Sequence, residues 1–272
     1  MMMKKKKKSG EQQIGIEISQ NDISLVVIEQ QPDASVRVRG RQVSWRKEAK
    51  DIGEEGGAEE LAAAINELVR EEDLAGMSVH VALNSNYCVT RVAAGEREKV
   101  EEELQVLHDR SNQYLMLGPG EKALARSFLP IDAKQMQGWL TVTNRATLDV
   151  IVDCLEQANL KVDLIEHAMV SLCRAVTKMP RADESPTIIV ELNERGVDVG
   201  VAYQGRLLFD YRPGGLKSKT QVAQIIQRHL ERIQRYCNRH FPFAEGTISQ
   251  VYISGATEDV AEVRDQIGRA HV

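Results

Sequence analysis

Two carboxylates occur in matching local patterns, one in each half of the chain. Glu17 stands in the apolar run at residues 14–18 and is followed by a polar turn, and Glu191 stands in the run at residues 188–192 before a second polar turn. A carboxylate beside a tight turn suits a magnesium–triphosphate site, because the acid can hold the hydrated cation while the turn amides meet phosphate oxygens. The pattern therefore predicts two phosphate-facing turns.

The elements that must position these carboxylates are repeated. IGIEISQNDISLVVI from residue 14 and IIVELNERGVDVGVAY from residue 188 each combine a hydrophobic strand, a carboxylate, a polar turn and a second strand, and a helix follows in each half. Such a repeat predicts two α/β domains of like topology with a ligand cleft between them.

Composition restricts the class of protein. The 272-residue chain is 42% hydrophobic with only 7 prolines, which argues against a disordered chain. Its net charge is -5, and without the lysine run at residues 4–8 only 30 basic residues stand against 40 acidic ones, so the acidic body argues against a nucleic-acid binder. Four separated cysteines and six histidines without ligand spacing predict buried thiols and argue against a zinc site.

The span from about residue 14 to 263 resembles the PilM family of type IV pilus assembly proteins, an actin-like branch related to the cell-division protein FtsA. Residues 14–28 look like the first phosphate loop of the actin/Hsp70/sugar-kinase superfamily, residues 188–203 like the second, and residues 251–256 like its adenosine-binding turn. The middle of the chain also resembles this branch, at residues 78–92 with the charged helix after them, at 112–115 (NQYL), at 139–142 (WLTV) and at 154–166.

The resemblance implies an α/β fold of duplicated actin-like (ribonuclease H-like) domains with an inserted small α/β subdomain. It also implies a scaffold on the cytoplasmic side of the inner membrane, peripheral to it, that binds the cytoplasmic tail of a PilN-like membrane protein on the side of residues 92–129. Other pilus platform proteins and a further copy of the chain are the remaining partner classes. The expected domain plan is a disordered basic tail at 1–12, domain I at 13–91, the insert at 92–160, the return of domain I at 161–180, a linker at 181–186, an incomplete domain II at 187–266 and a non-native end at 267–272.

The cofactors implied by the resemblance are ATP and Mg²⁺, with an empty cleft as the alternative. The predicted nucleotide-binding residues are Glu17, Ser19, Gln20, Asn21, Glu191, Asn193, Glu194, Gly214, Gly215, Gly255 and Ala256, and Glu17 and Glu191 are also the predicted magnesium ligands. The sequence assigns no catalytic residue.

Five of these positions depart from the family pattern. Glutamate replaces aspartate at residues 17 and 191, Ser19 and Asn193 replace glycines, and Ala256 replaces a second glycine. Glycine is used where backbone approaches a ligand closely or needs a positive φ. We therefore expect nucleotide binding to be weakened or lost.

Several alternatives stay open. The chain could instead be the cytoplasmic actin-like component of a type II secretion system, or an ATP-dependent small-molecule kinase, although a kinase needs a carboxylate base and glycine-rich loops. Gly214-Gly215 fits a phosphate-facing helix start or a simple turn. The row Arg228, Arg232, Arg235 and Arg239 fits a solvated helix face or a membrane or partner contact.

Both ends of the chain are unusual. The lysine run at residues 4–8 is either a solvated tail or a contact with an anionic membrane surface. The last six residues, IGRAHV at 267–272, equal one translated frame of a common sequencing adapter. We therefore expect native sequence to stop near Asp265 or Gln266 and the second domain to be truncated.

Overall fold

The structure is a computed structural model that describes residues 12–31, 33–49, 51–179, 185–193, 196–214 and 221–270. The lysine run, most of the predicted linker, Glu194, Gly215 and residues 271–272 lie outside these ranges.

Strands and helices follow the predicted pattern closely, with β5 and α6 as additions that had not been predicted as separate elements. In chain order they are β1 (Gln12–Ile18), β2 (Asp22–Gln30), β3 (Val36–Ser44), α1 (Gly57–Glu72), β4 (Ser78–Leu83), β5 (Cys88–Glu96), α2 (Arg97–Asp109), β6 (Lys122–Pro130), β7 (Gln135–Asn144), α3 (Arg145–Gln157), β8 (Lys161–His167), α4 (Ala168–Val176), β9 (Thr187–Asn193), β10 (Gly196–Tyr203), β11 (Arg206–Tyr211), α5 (Val222–His240), β12 (Val251–Ser254) and α6 (Thr257–Ala270). Two short 3₁₀ turns lie between α2 and β6.

The first compact unit consists of Met1–Leu83 and Ala146–Ile165. Its sheet has the order β3-β2-β1-β4-β8, with β1 antiparallel to β2 and parallel to β4. Ile14, Ile16 and Ile18 are buried because side chains at alternate positions of a strand share one face. Helix α1 buries Leu61, Ile65 and Leu68, whose spacing places them on one helical stripe.

The second compact unit consists of Asn84–Arg145 and Glu166–Val272 and contains two sheets. The larger has the order β11-β10-β9-β12, with β9 antiparallel to β10 and parallel to β12. Every residue of β9 is buried, because both faces of this sheet are covered. Ile188 and Val190 belong to the core cluster that contains the apolar side of α5, whereas Ile189 belongs to the cluster that contains α4.

The smaller sheet, β5-β7-β6, packs against α2. One carbonyl of the larger sheet accepts two hydrogen bonds from it, since Gln137 Nε2 and Trp139 Nε1 both donate to the Leu207 oxygen, at 2.7 and 3.1 Å. Arg206 Nη1 of β11 also donates to the Pro130 carbonyl of β6 at 3.1 Å. Gly138 lies between these two donors in β7, and a Cβ added there would stand 2.7 Å from Leu104 Cδ1 of α2. Absence of a side chain at Gly138 therefore allows α2 to lie directly on β7.

The two larger sheets confirm the predicted duplication. In each, the first strand of the repeat pairs antiparallel with the second and parallel with a strand that comes later in the chain. The small sheet with α2 is the predicted additional α/β element.

All four cysteines are free and buried, as predicted. Burial raises the pKa of the Cys237 thiol to about 12 and also raises the pKa of Cys173. Among the residues described, no helix is both long and apolar enough to cross a bilayer.

Candidate functional site

The first predicted turn is closed by its own hydrogen bonds. Glu17 is half-buried near the end of β1, opposite Ser24 of β2 and Ala82 of β4. The Ser19 amide donates to the Asp22 carbonyl at 2.9 Å, and the Asp22 amide donates to Ser19 Oγ at 3.0 Å. These two amides are therefore engaged inside the turn, whereas a phosphate loop directs its amides at the ligand.

Trp45 holds the same turn from outside. Its indole Nε1 donates to the Ser19 carbonyl at 2.9 Å and its backbone amide donates to the Asn21 carbonyl at 2.9 Å. Ser19, Gln20 and Asn21 all keep negative φ. The serine at the family's glycine position is thus compatible with this turn, because the turn does not use the left-handed conformation that favours glycine.

The second predicted turn contains a buried group of carboxylates. Glu191 lies opposite Asp198 across the β9–β10 ladder and opposite Ser254 of β12, and both acids are under 5% exposed. Asn193 is also buried, has a negative φ, and donates from Nδ2 to Asp198 Oδ2 at 2.6 Å.

Arg212, just after β11, pairs with one of these carboxylates, Asp198. Its Nε and Nη2 donate to the two oxygens of Asp198 at 2.9 and 2.8 Å, and its Nη1 donates to Asn86 Oδ1 at 3.3 Å. The hydrogen bonds that Arg212 donates to Asp198 raise the pKa of Arg212, and the charges of Asp198, Glu191 and Asp210 add to this effect. A bidentate arginine–carboxylate pair is the strong form of such a contact.

A magnesium ion does not fit the second turn as it stands. Asp198 already accepts three hydrogen bonds, two from Arg212 and one from Asn193, and the guanidinium supplies the positive charge that a cation would bring. In the part of the chain that the structure describes, no group of three or more metal-ligating His, Cys, Asp or Glu side chains occurs. The predicted ligand Glu191 thus lies beside an acid that a guanidinium already holds.

The last predicted turn has a structural reason for its glycine. Gly255 has φ 150°, and a Cβ added there would stand 2.8 Å from the Cβ of Leu192 in β9. Ala256 is exposed, and its carbonyl accepts the first helical hydrogen bond of α6 from Val260. Gly214 is exposed in the loop after β11, with nothing within 4 Å of an added Cβ. The predicted residues of the second half thus fall into the β9–β10 turn, the end of β12 and the loop after β11.

Sequence reasoning missed the residues that pair with these turns. Asp198 could have been found by counting register, because it lies opposite Glu191 when the two strands form a hairpin. Arg212 follows from the same counting in the next hairpin, because Val199 of β10 pairs with Tyr211 of β11 and the following residue, Arg212, then lies beside Asp198; a register shift at Val201/Ala202 disguises the spacing.

A buried polar chain was also missed. His167 is fully buried, with Nε2 3.0 Å from Ser85 Oγ and Nδ1 3.2 Å from Thr90 Oγ1, and Thr90 Oγ1 lies 3.0 Å from Thr141 Oγ1. Burial lowers the pKa of His167. A neutral imidazole suits this position, because one ring nitrogen donates and the other accepts.

A cavity of about 400 Å³ lies beside these hydrogen-bonded polar residues and includes Ser85 and Thr90 in its lining. It is lined by Ser85, Cys88, Val89, Thr90, Arg91, Val92, Met116, Asp198, Phe209, Asp210, Tyr211, Arg212 and Tyr236, all within the second unit. Volumes of this size are typical of sites for small molecules.

No protein-family model matches this sequence, and no curated protein matches it. Among solved structures, the chain is similar to a PilM-PilN type IV pilus biogenesis complex, with TM-score 0.62 and 14% identity over 94% of this chain and 86% of that one. It is also similar to an exopolyphosphatase from Cytophaga hutchinsonii, with TM-score 0.50 and 10% identity over 96% and 72%. A Bacteroides thetaiotaomicron protein of unknown function with an actin-like ATPase fold has TM-score 0.49 and 13% identity over 96% and 89%.

At such identities a structural likeness identifies the fold and leaves function to the site. The duplicated sheets and the structural match over 94% of the chain both support the same fold. The chain has the actin-like ATPase fold.

Proposed function

We propose that this protein is a PilM-like scaffold on the cytoplasmic side of the inner membrane, within a type IV pilus or related secretion platform, and that it binds the tail of a PilN-like membrane partner. The Asp198–Arg212 pair is the observation that favours a scaffold function over an enzymatic one. A phosphoryl-transfer site depends on Mg²⁺ to neutralise developing charge, and here an arginine holds the acid of the second turn. The structural likeness to the PilM-PilN complex supports the choice of system.

The proposed docking site is the outer edge of β6, within the predicted docking segment 92–129. Among the described residues β6 pairs only with β7, so its other edge is available to an extended peptide. Phe128 and Leu129 near its end are about 40% exposed. An added strand gains main-chain hydrogen bonds from such an edge and specificity from neighbouring side chains. The predicted domain plan, including the insert at 92–160, remains part of this proposal.

The arginine row of α5 supports a peripheral membrane contact. Arg228, Arg232, Arg235 and Arg239 are all exposed, and the buried residues Ile226 and Ile233 lie on the opposite side of the helix. None of the four has a carboxylate within 4.0 Å among the residues described. Each basic side chain close to an anionic lipid surface contributes about 1 kcal/mol.

Two titrations of the full chain test the proposal. A synthetic tail peptide of the inner-membrane partner should bind, and Leu129→Asp should weaken that binding at least about 10-fold by removing one apolar contact and adding a charge. Val38→Asp is the matched control, because Val38 is also an exposed apolar residue of an edge strand, β3. Mg-ATP should give no binding heat.

Two outcomes would contradict the proposal. Micromolar Mg-ATP binding with turnover would favour the kinase alternative. Failure of every such tail peptide to bind, with the protein folded, would remove the scaffold assignment.

A further inference from the structure

The cavity of the second unit contains two opposite charges that do not meet. It lies between β5, which supplies Arg91, and the end of β11, which supplies Asp210. Within the described residues neither side chain has an ion-pair partner at 4.0 Å or less. The proposed scaffold function uses neither of them.

Arg91 is held in place by groups that leave its charge uncompensated. Its Nη1 donates to the Thr90 carbonyl at 3.2 Å, and its guanidinium carbon lies 5.4 Å from the centre of the Tyr114 ring. Carbonyl and aromatic contacts orient a guanidinium but bring no formal negative charge. A planar donor fork that lines a cavity is suited to a carboxylate.

Asp210 is the negatively charged counterpart in this cavity, and it too lacks an ion-pair partner within 4.0 Å among the residues described. Burial raises the pKa of its carboxyl group, while the charge of Arg91 acts to lower it and that of Asp198 acts to raise it. Burial of a carboxylate that has no such partner in the described part of the chain disfavours its anionic form. A ligand cation at hydrogen-bond distance would supply what is missing.

The remaining walls combine the Asp198–Arg212 ion pair with apolar and amphipathic side chains. Phe209 and Tyr236 pack edge to face with ring centres 4.8 Å apart, and Met116 is half exposed on the cavity. Ser85 is fixed by its hydrogen bond to His167. These walls offer an aromatic and thioether surface to a ligand side chain.

We propose that the cavity binds a free α-amino acid with an apolar or aromatic side chain, with its carboxylate on Arg91, its ammonium group on Asp210 and its side chain against Phe209, Tyr236 and Met116. A zwitterion satisfies both charges at once, which neither an anion nor a cation can do. The cavity volume of about 400 Å³ accommodates such a molecule.

Calorimetric titration of the full chain with three matched compounds tests this proposal. L-phenylalanine should bind, whereas phenethylamine, which lacks the carboxylate, and 3-phenylpropionate, which lacks the amine, should each bind at least about 10-fold more weakly, because a hydrogen bond to a charged group contributes 1.5–3 kcal/mol. L-leucine and L-methionine should bind as well.

Two variants test which ligand group each protein charge binds. Arg91→Gln should weaken phenylalanine binding about 10-fold or more and leave phenethylamine unchanged, and Asp210→Asn should weaken phenylalanine but leave 3-phenylpropionate unchanged. Arg97→Gln and Asp163→Asn, at exposed positions, are the matched controls and should bind like the wild type.

The proposal is overturned if no amino acid binds the folded protein, if the two analogues bind as well as phenylalanine, or if the two variants behave like their controls. Circular dichroism melting of each variant establishes that it is folded. Because the partner-tail titration concerns β6, either result can fail while the other stands.

Discussion

Arg212 shows how a single side chain can settle the chemistry of a turn. In the second half of the chain the predicted cation site contains Glu191 and the missed acid Asp198, and a guanidinium bonds Asp198 through two parallel hydrogen bonds. Removing a side chain from such a pair leaves a buried charge uncompensated, which costs more than the pair contributes when intact.

Arg212→Ala should lower the free energy of unfolding by about 3 kcal/mol, because Asp198 would then be buried beside Glu191 without a counter-ion. Urea unfolding followed by circular dichroism measures the change. Arg97→Ala is the control, since Arg97 and Glu101 form an exposed pair of the kind that contributes less than about 0.5 kcal/mol. Equal effects of the two substitutions would mean that the Asp198–Arg212 pair is not a stabilising feature.

His167 should give the protein a pH-dependent stability. Its pKa is lowered from the ordinary value of 6.5 by burial, so below about 6.5 the unfolded chain binds a proton that the folded chain does not. The free energy of unfolding should therefore fall as pH falls from about 7.5 to about 5.5, and rise in the opposite direction.

His167→Gln should remove that part of the slope, whatever its effect on stability at neutral pH. The quantity to compare is the difference in urea-unfolding free energy between the two pH values, in the wild type and in the variant. His80→Gln, at an exposed position of β4, should keep the wild-type slope. An unchanged slope in His167→Gln would show that folding does not shift the pKa of this histidine.

At the residue scale the sequence predicted the carboxylates and missed their partners. Glu17 and Glu191 stand in a local pattern that reads directly from the chain, and the structure places each of them near the end of its strand. Ser85 and His167 meet across 82 residues of sequence and Arg212 reaches Asn86 across 126, which no local spacing encodes.

At the scale of elements, periodicity was a sound guide. The alternating strands and the helix of residues 222–240 follow from side-chain spacing alone, because burial on one face imposes a period of two or 3.6. Strand β5 was not predicted as a separate strand, because its sequence, CVTRVAAGE, mixes small and polar residues on both faces. Helix α6 was not predicted, because its polar sequence stands where the native chain was expected to end.

Gly255 determines how β12 ends beside β9, and Gly255→Ala should lower the free energy of unfolding by about 2 kcal/mol without any nucleotide present. The added methyl would stand 2.8 Å from Leu192 Cβ and 3.0 Å from its carbonyl oxygen, and φ 150° is unfavourable for alanine.

Gly15→Ala, in β1, is the control for thermal or urea unfolding. Nothing lies within 4 Å of a Cβ added there, so the substitution should be neutral or slightly stabilising. A neutral Gly255→Ala would reopen the interpretation that this glycine is retained for an adenosine ligand.

At the scale of the whole molecule, the chain divides into two compact units, each with one tryptophan. Trp45 is buried in the first unit, and Trp139 is buried in the second. Trp45→Phe and Trp139→Phe variants therefore give a separate fluorescence signal for each unit.

Arg212→Ala should shift the urea transition reported by Trp139 more than the one reported by Trp45, because the lost contacts lie in the second unit, which has its own cores. Each single-tryptophan protein with intact Arg212 is the control. Identical shifts at both probes would show that the two units unfold as one cooperative body.

The shared Leu207 carbonyl has a mechanical consequence. Two neighbouring donors of β7, Gln137 and Trp139, converge on one oxygen at the start of β11. A force applied to the edge strand β6 would pass to β7 through their ladder and to the larger sheet through this carbonyl, and also directly through the hydrogen bond that Arg206 of β11 donates to the Pro130 carbonyl of β6. A partner that pulls on β6 would thus transmit force to β11, and Arg212 is the residue directly after that strand.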